Sequence, residues 1–118
     1  MKEVLKNRTK TFAIDVWKMC DELPNSTGIV ILKRQLIRCS TSVGANYRAA
    51  CRAKSKADFV HKLKIVEEEA DEAMYFLELL DEVCVDVDKR WIKKLHTEAN
   101  EILSIIVASI KTVRSSNS

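Results

Sequence analysis

From Phe59 to Cys84, apolar residues recur at steps of four and three without a break: Phe59, Leu63, Val66, Ala70, Ala73, Leu77, Leu80 and Cys84. A helix of 3.6 residues per turn lines such positions along one side, whereas a strand would scatter them over both faces. The pattern covers about 38 Å of helix. Steps of three and four sustained over many turns form the seam of helices that cross at about 20°, so this segment needs other long helices beside it.

Three further segments supply them. The first runs over about 8–22, with Phe12, Val16, Met19, Cys20 and Leu23 on one side. The second covers about 27–53, with Ile29, Leu32, Leu36, Cys39, Val43, Asn46 and Ala50 alternating by three and four, Asn46 being the one polar member. The long stripe belongs to the third, about 56–84, and the fourth covers about 89–113 through Ile92, Leu95, Ala99, Ile102, Ile106 and Val113. "LPNSTG" ends the first helix, and Ser26 or Thr27 can cap the second. Ser55 with Asp58 is a carboxylate variant of the capping box, and Asp86 or Asp88 can cap the fourth helix. Two glycines and one proline in 118 residues leave too few turn signals for a sandwich or barrel. Short links between long helices favour antiparallel neighbours, so residues 1–118 are expected to form one domain, an all-α, antiparallel up-down-up-down four-helix bundle.

Several function classes find no support. His61 and His96 fall on different helices without metal-motif spacing. The di-iron bundle signature would need two Glu-x-x-His repeats, and Asp58-Lys-Ala-His61 is at most half of one. Gly28 and Gly44 cannot make a phosphate loop, and "VEEEADEA" reads as a solvated or ion-pairing face. The sequence therefore points to no catalytic residue, no cofactor, no metal and no enzyme. Cys20, Cys39, Cys51 and Cys84 contain no C-x-x-C pair, and Cys39 and Cys51 on one helix would sit roughly 18 Å apart. Reduced thiols in a cytoplasmic protein are expected. The longest apolar run, "ILSIIVASI", falls well short of the roughly 20 residues a bilayer demands, so no membrane association is expected.

Charge is distributed unevenly. Residues 23–57 hold seven Lys/Arg and no acid, whereas residues 58–88 hold eleven Asp/Glu against Lys62 and Lys64 alone. On helix two, Arg34, Arg38, Arg48, Arg52 and Lys56 fall within an arc of about 80° opposite the core, along about 33 Å if the helix continues that far. Solvated helix faces usually mix signs so that Glu–Lys pairs support them. An unmixed stripe needs an outside partner. RNA or DNA phosphates would suit, through counterion release, and so would the acidic third helix, in the same chain or a neighbour's.

Ile65, Glu72, Tyr75, Phe76 and Leu79 lie off the main stripe of helix three, and "ILSIIVASI" is apolar almost all round. Surplus apolar surface of this kind marks protein contacts, and a homo-oligomer is expected. Asn46 is expected to be a hydrogen-bonding register device at the seam, and Ser55 a structural cap.

The stretch "STSVGANYRAACRAKSKADFVHKLKIVEEEADEAMYFLELL", residues 40–80, resembles the bacterial four-helix-bundle proteins encoded in intervening sequences of 23S ribosomal RNA genes. These in turn are similar to the accessory variability proteins of diversity-generating retroelements. The pattern is carried by Ser40 to Asn46, the basic stretch, Ser55, Phe59, Leu63 and the acidic-Ala segment ending at Leu80. The resemblance implies a ring-like homo-oligomer, a pentamer. For the retroelement relatives it also implies a basic surface that engages nucleic acid and a reverse transcriptase. Many relatives carry Glu-Gly after Asn-x-Ala, where this chain has "ANYRAAC", so nucleic-acid contacts do not transfer position by position.

Overall fold

The computed structural model describes residues 1–116, and its helical segments are α1 (Lys2–Glu22), α2 (Thr27–Ala50), α3 (Lys56–Val83) and α4 (Arg90–Ser115). Each helix packs on its two neighbours around a square, α1 on α2, α2 on α3, α3 on α4 and α4 on α1. The result is an all-α, antiparallel bundle drawn out to 52 × 22 × 19 Å. No helix among the described residues is long and apolar enough to cross a membrane.

The expected stripes of α1, α3 and α4 line the core: Phe12, Val16, Met19, Cys20 and Leu23 of the first, Leu63, Val66, Ala70, Ala73, Leu77, Leu80 and Cys84 of the second, and Ile92, Leu95, Ala99, Ile102 and Ile106 of the third are buried. Phe59 and Val113 at the stripe ends are half-buried, and Ile110 takes the last core place. Two boundaries differ from the sequence expectation. Helix α1 begins at Lys2, six residues before Arg8, and buries Leu5 in the added turns. Helix α2 stops at Ala50, before Ala53, because Arg52 N–H donates to the Ala49 carbonyl and Ala53 N–H to the Ala50 carbonyl, a tight three-residue pattern that cannot propagate an α-helix. Lys56 accordingly belongs to α3.

The seam of α2 is also displaced. The buried positions run Ile29, Lys33, Leu36, Ser40, Val43, Tyr47 and Ala50, alternating by four and three, with Cys39 beside them. Leu32 and Asn46 are half-buried instead. Lysine and serine at two seam positions disguise the stripe, yet both are satisfied. Lys33 Nζ donates to the Cys20 carbonyl, the Leu23 carbonyl and Asn25 Oδ1 at 3.1, 3.1 and 2.7 Å. It thereby closes the C-terminal end of α1, whose last carbonyls lack helical partners. Ser40 Oγ donates to the Ile37 carbonyl of its own helix. Asn46 does not bridge helices: its Nδ2 donates to the Ser42 carbonyl and Ser42 Oγ, one turn back. The register role expected of Asn46 is therefore absent, because the helix rotates it out of the seam.

At the α2–α3 corner Ser55 caps as expected. Its Oγ accepts from Asp58 N–H at 3.0 Å, and the Asp58 carboxylate accepts from Lys54 N–H. Before α4, Asp88 Oδ1 accepts from Arg90 N–H at 2.9 Å, in the first turn.

Candidate nucleic-acid interface

The five cations expected to form one stripe occupy three different settings. Arg38 leans toward α3, where its guanidinium donates to Glu69 and Glu72 at 3.0 and 2.7 Å and to Cys39 Sγ at 3.2 Å. Glu69 retains only 13% of its side-chain exposure, so the pair is partly sheltered from solvent. Cys39 Sγ and one oxygen each from Glu69 and Glu72 lie within 4.8 Å of one another. Three such atoms could hold a metal ion, but the cation seated beside them is the Arg38 guanidinium. Burial, with Glu72 nearby, pushes the Cys39 thiol up to about 12, so it stays protonated at neutral pH and is a poor metal ligand there.

Arg34, Arg48 and Arg52 are exposed and make no ion pair among the described residues. Arg34 and Arg48 stand on the outward side of α2, 14 residues or about 21 Å apart; Arg52 follows in the turn. Lys56 sits at the end of the bundle, where its Nζ donates to Ser116 Oγ at 3.3 Å. It lines a hollow there with Lys2 and Lys54, apart from the α2 face.

What the sequence stripe lacked, α1 provides. A shallow groove of about 500 Å³ runs between α1 and α2, lined by Lys6, Asn7, Lys10 and Ala13 on one bank and by Thr41, Gly44, Ala45 and Arg48 on the other. Its floor is low because α1 and α2 approach closely at Gly44: a Cβ placed there would lie 3.5 Å from the Thr9 carbonyl oxygen. Glu3 at one end pairs with Lys6 at 3.1 Å, and Lys10 makes no ion pair among the described residues. Lys10 and Arg48 thus line opposite banks of a channel open to solvent, offset along it by about 8 Å, with Glu3 at the Arg48 end. Starting α1 at Arg8 hid Lys6 from the sequence reading, although Lys6, Lys10 and Ala13 follow helical spacing of four and three.

The proposed outer contact face on α3 is only partly realised. Tyr75 is 56% exposed, and Ile65 and Leu79 are half-buried. Phe76 is drawn onto the core, with its ring centroid 5.6 Å from that of Tyr75, and Glu72 is held by Arg38. The surplus expected of α4 is absent. Every Ile, Leu and Val between Ile102 and Ile110 is buried or half-buried, because α1 and α3 cover both flanks.

The four cysteines are free, and Cys51 alone is only partly buried. Burial pushes the Cys20 thiol up to about 11, and burial beside Cys51 pushes the Tyr47 hydroxyl up to about 12. These groups are packed in neutral form and are not poised as nucleophiles.

No curated protein matches the chain. A solved structure does: a protein of unknown function from the S23 ribosomal protein family of Bacteroides thetaiotaomicron. It is 33% identical over 94% of this chain and 99% of its own, with a TM-score of 0.83. The model of the family described as 23S rRNA-intervening sequence protein matches residues 3–108, from the second residue of α1 to the last turns of α4. On the strength of that match, which spans the bundle, the chain belongs to the 23S rRNA-intervening sequence protein family.

Proposed function

We propose that this protein is a non-enzymatic, self-associating bundle that binds nucleic acid, RNA foremost, along the α1–α2 face. The observation that carries the reading is the set Lys10, Arg34 and Arg48 on the α1–α2 face, with Arg52 in the turn that follows, all exposed and without acidic partners among the described residues. Cations in that state are available to phosphates, and their binding gains from release of the counterions condensed on the nucleic acid. Arg38 drops out of the set, since Glu69 and Glu72 already hold it. Contacts of this type position a nucleic acid without reading its bases. Self-association is assigned to the outer edge of α3, where Ile65, Tyr75, Leu79 and the half-exposed Val83 recur at helical spacing. A pentameric ring and a cytoplasmic setting, which would suit the free thiols, belong to the same proposal.

The test is a salt series with an unstructured RNA, comparing the wild type with a Lys10→Glu/Arg48→Glu variant and following oligomeric mass in parallel. The slope of log affinity against log salt is expected to become shallower by about two in the variant, one for each lost phosphate contact, while the mass holds. Unchanged RNA binding in a variant of unchanged mass would remove the α1–α2 face from the proposal. Loss of mass would make that face a subunit interface instead.

A further inference from the structure

An exposed tryptophan stands beyond the end of the cationic groove. Lys6, Lys10 and Ala13 line its α1 bank, and Trp17 follows one turn beyond Ala13 on the same side of the helix, at the i+4 position. The opposite bank can be placed by two contacts. Gly44 lies against Thr9, and Lys33 reaches the Cys20 carbonyl. In this antiparallel register Trp17 stands roughly level with Leu36, between Arg34 and Thr41 on the outward side of α2. Trp17 is 56% exposed, whereas Trp91, the other tryptophan of the chain, is partly buried against the core. The exposed indole thus stands near Arg34 and about 10 Å along α1 from Lys10, with Arg48 farther down the same line, and its face is open to a partner.

We infer that Trp17 is a stacking platform for an unpaired base, so that the α1–α2 face takes single-stranded nucleic acid in preference to a duplex. The inference rests on the nucleic-acid reading above and adds to it the strandedness of the ligand. The physical reason is the match of two chemistries along one line. Lys10, Arg34 and Arg48 can follow the phosphates, and the indole offers a π-face that any base can cover. Bases inside a duplex are stacked on one another and cannot reach that face. An aromatic flanked by cations is therefore of use to a splayed strand and of none to a closed helix.

Fluorescence tests this in the full-length chain. A Trp91→Phe variant leaves Trp17 as the sole indole, and a 12-nucleotide oligouridylate is expected to quench it on binding. Trp17→Ala is expected to weaken oligouridylate binding roughly ten- to hundredfold, with Trp17→Phe restoring most of the loss. Binding of a 12-base-pair RNA duplex should change less than twofold in either variant. Oligouridylate binding without quenching and with unchanged affinity in Trp17→Ala would overturn the stacking role while leaving phosphate binding on the basic face intact. Equal losses for strand and duplex, or a change of oligomeric mass in Trp17→Ala, would also overturn it. Failure of the wild type to bind either RNA at low salt would bring down both this inference and the reading beneath it.

Discussion

Helix α2 presents cations to both of its neighbours, and they meet opposite fates. On the α3 side, Arg38 finds Glu69 and Glu72 within 3.0 Å and is fixed over a buried thiol. On the α1 side, Arg48 lines an open groove with Lys6 and Lys10 and makes no ion pair among the described residues, the groove's one acid, Glu3, being held by Lys6. Lys33 shows a third outcome on that same side, where backbone carbonyls at the end of α1 take the place of carboxylates. All three residues come from a segment with no acidic residue of its own. The neighbouring helix therefore decides whether a positive charge becomes a structural tie or an exposed, available one. A cation with a fixed partner holds its neighbours in place; one without can replace the counterions of a phosphate.

Alkaline pH should give the largest effect and should strike the α3 side hardest. Cys39 is held near 12 against an ordinary value near 9, so the fold favours its neutral form. That contribution is complete below about pH 9 and disappears as pH climbs through about 12. Cys20 and Tyr47 add to it in the same direction, with values of about 11 and about 12. Thermal midpoints measured between pH 8 and pH 11 should fall steadily, and Cys39→Ala should flatten the profile. A flat wild-type profile would contradict burial of neutral thiols.

Next in size is Lys33→Ala, which strips the donor from two backbone carbonyls beneath the α1–α2 turn. Chemical denaturation should report a loss of about 2–3 kcal/mol. A loss no greater than that of a surface lysine would mean that water replaces the ammonium without cost.

The two arginines test the comparison directly. Arg38→Ala leaves Glu69 without its guanidinium and should destabilise by about 1 kcal/mol, since the pair is half-exposed. Arg48→Ala should stay within about 0.5 kcal/mol of the wild type. RNA binding should show the reverse order, with Arg48→Ala weaker and Arg38→Ala unchanged. If the two variants rank the same way in both measurements, the division of the helix into a structural and a binding side fails.

The smallest effect is expected at the floor of the groove. The added methyl of Gly44→Ala would sit in ordinary contact with Thr9, and removing a mid-helix glycine should stabilise by about 0.5–1 kcal/mol. A destabilised Gly44→Ala would show that α1 lies closer to α2 than the ordinary contact at Thr9 implies.

Much of this architecture could be read directly from residue spacing. The unbroken stripe from Leu63 to Cys84 identifies α3 because burial requires one side of a helix to be apolar, and the three connections are marked by Pro24, Ser55 and the "VDVDKR" break. The seam of α2 resisted the same treatment. Lys33 and Ser40 violate the expected polarity, and their satisfaction depends on α1 carbonyls and on a local turn that no spacing rule contains. The start of α1 was hidden for a related reason, as "KEVLKNR" is too polar to show its single buried leucine, Leu5.

What the amino-acid sequence determined alone was the number of helices, their antiparallel order and the excess of positive charge on α2, because periodicity and local charge are properties of neighbours along the chain. Only the tertiary structure decided which of those charges remain available. Whether Arg38 meets Glu69, or Arg48 borders the groove that Lys6 and Lys10 line, depends on the rotation of each helix against the next, and that rotation is set by how the whole core packs.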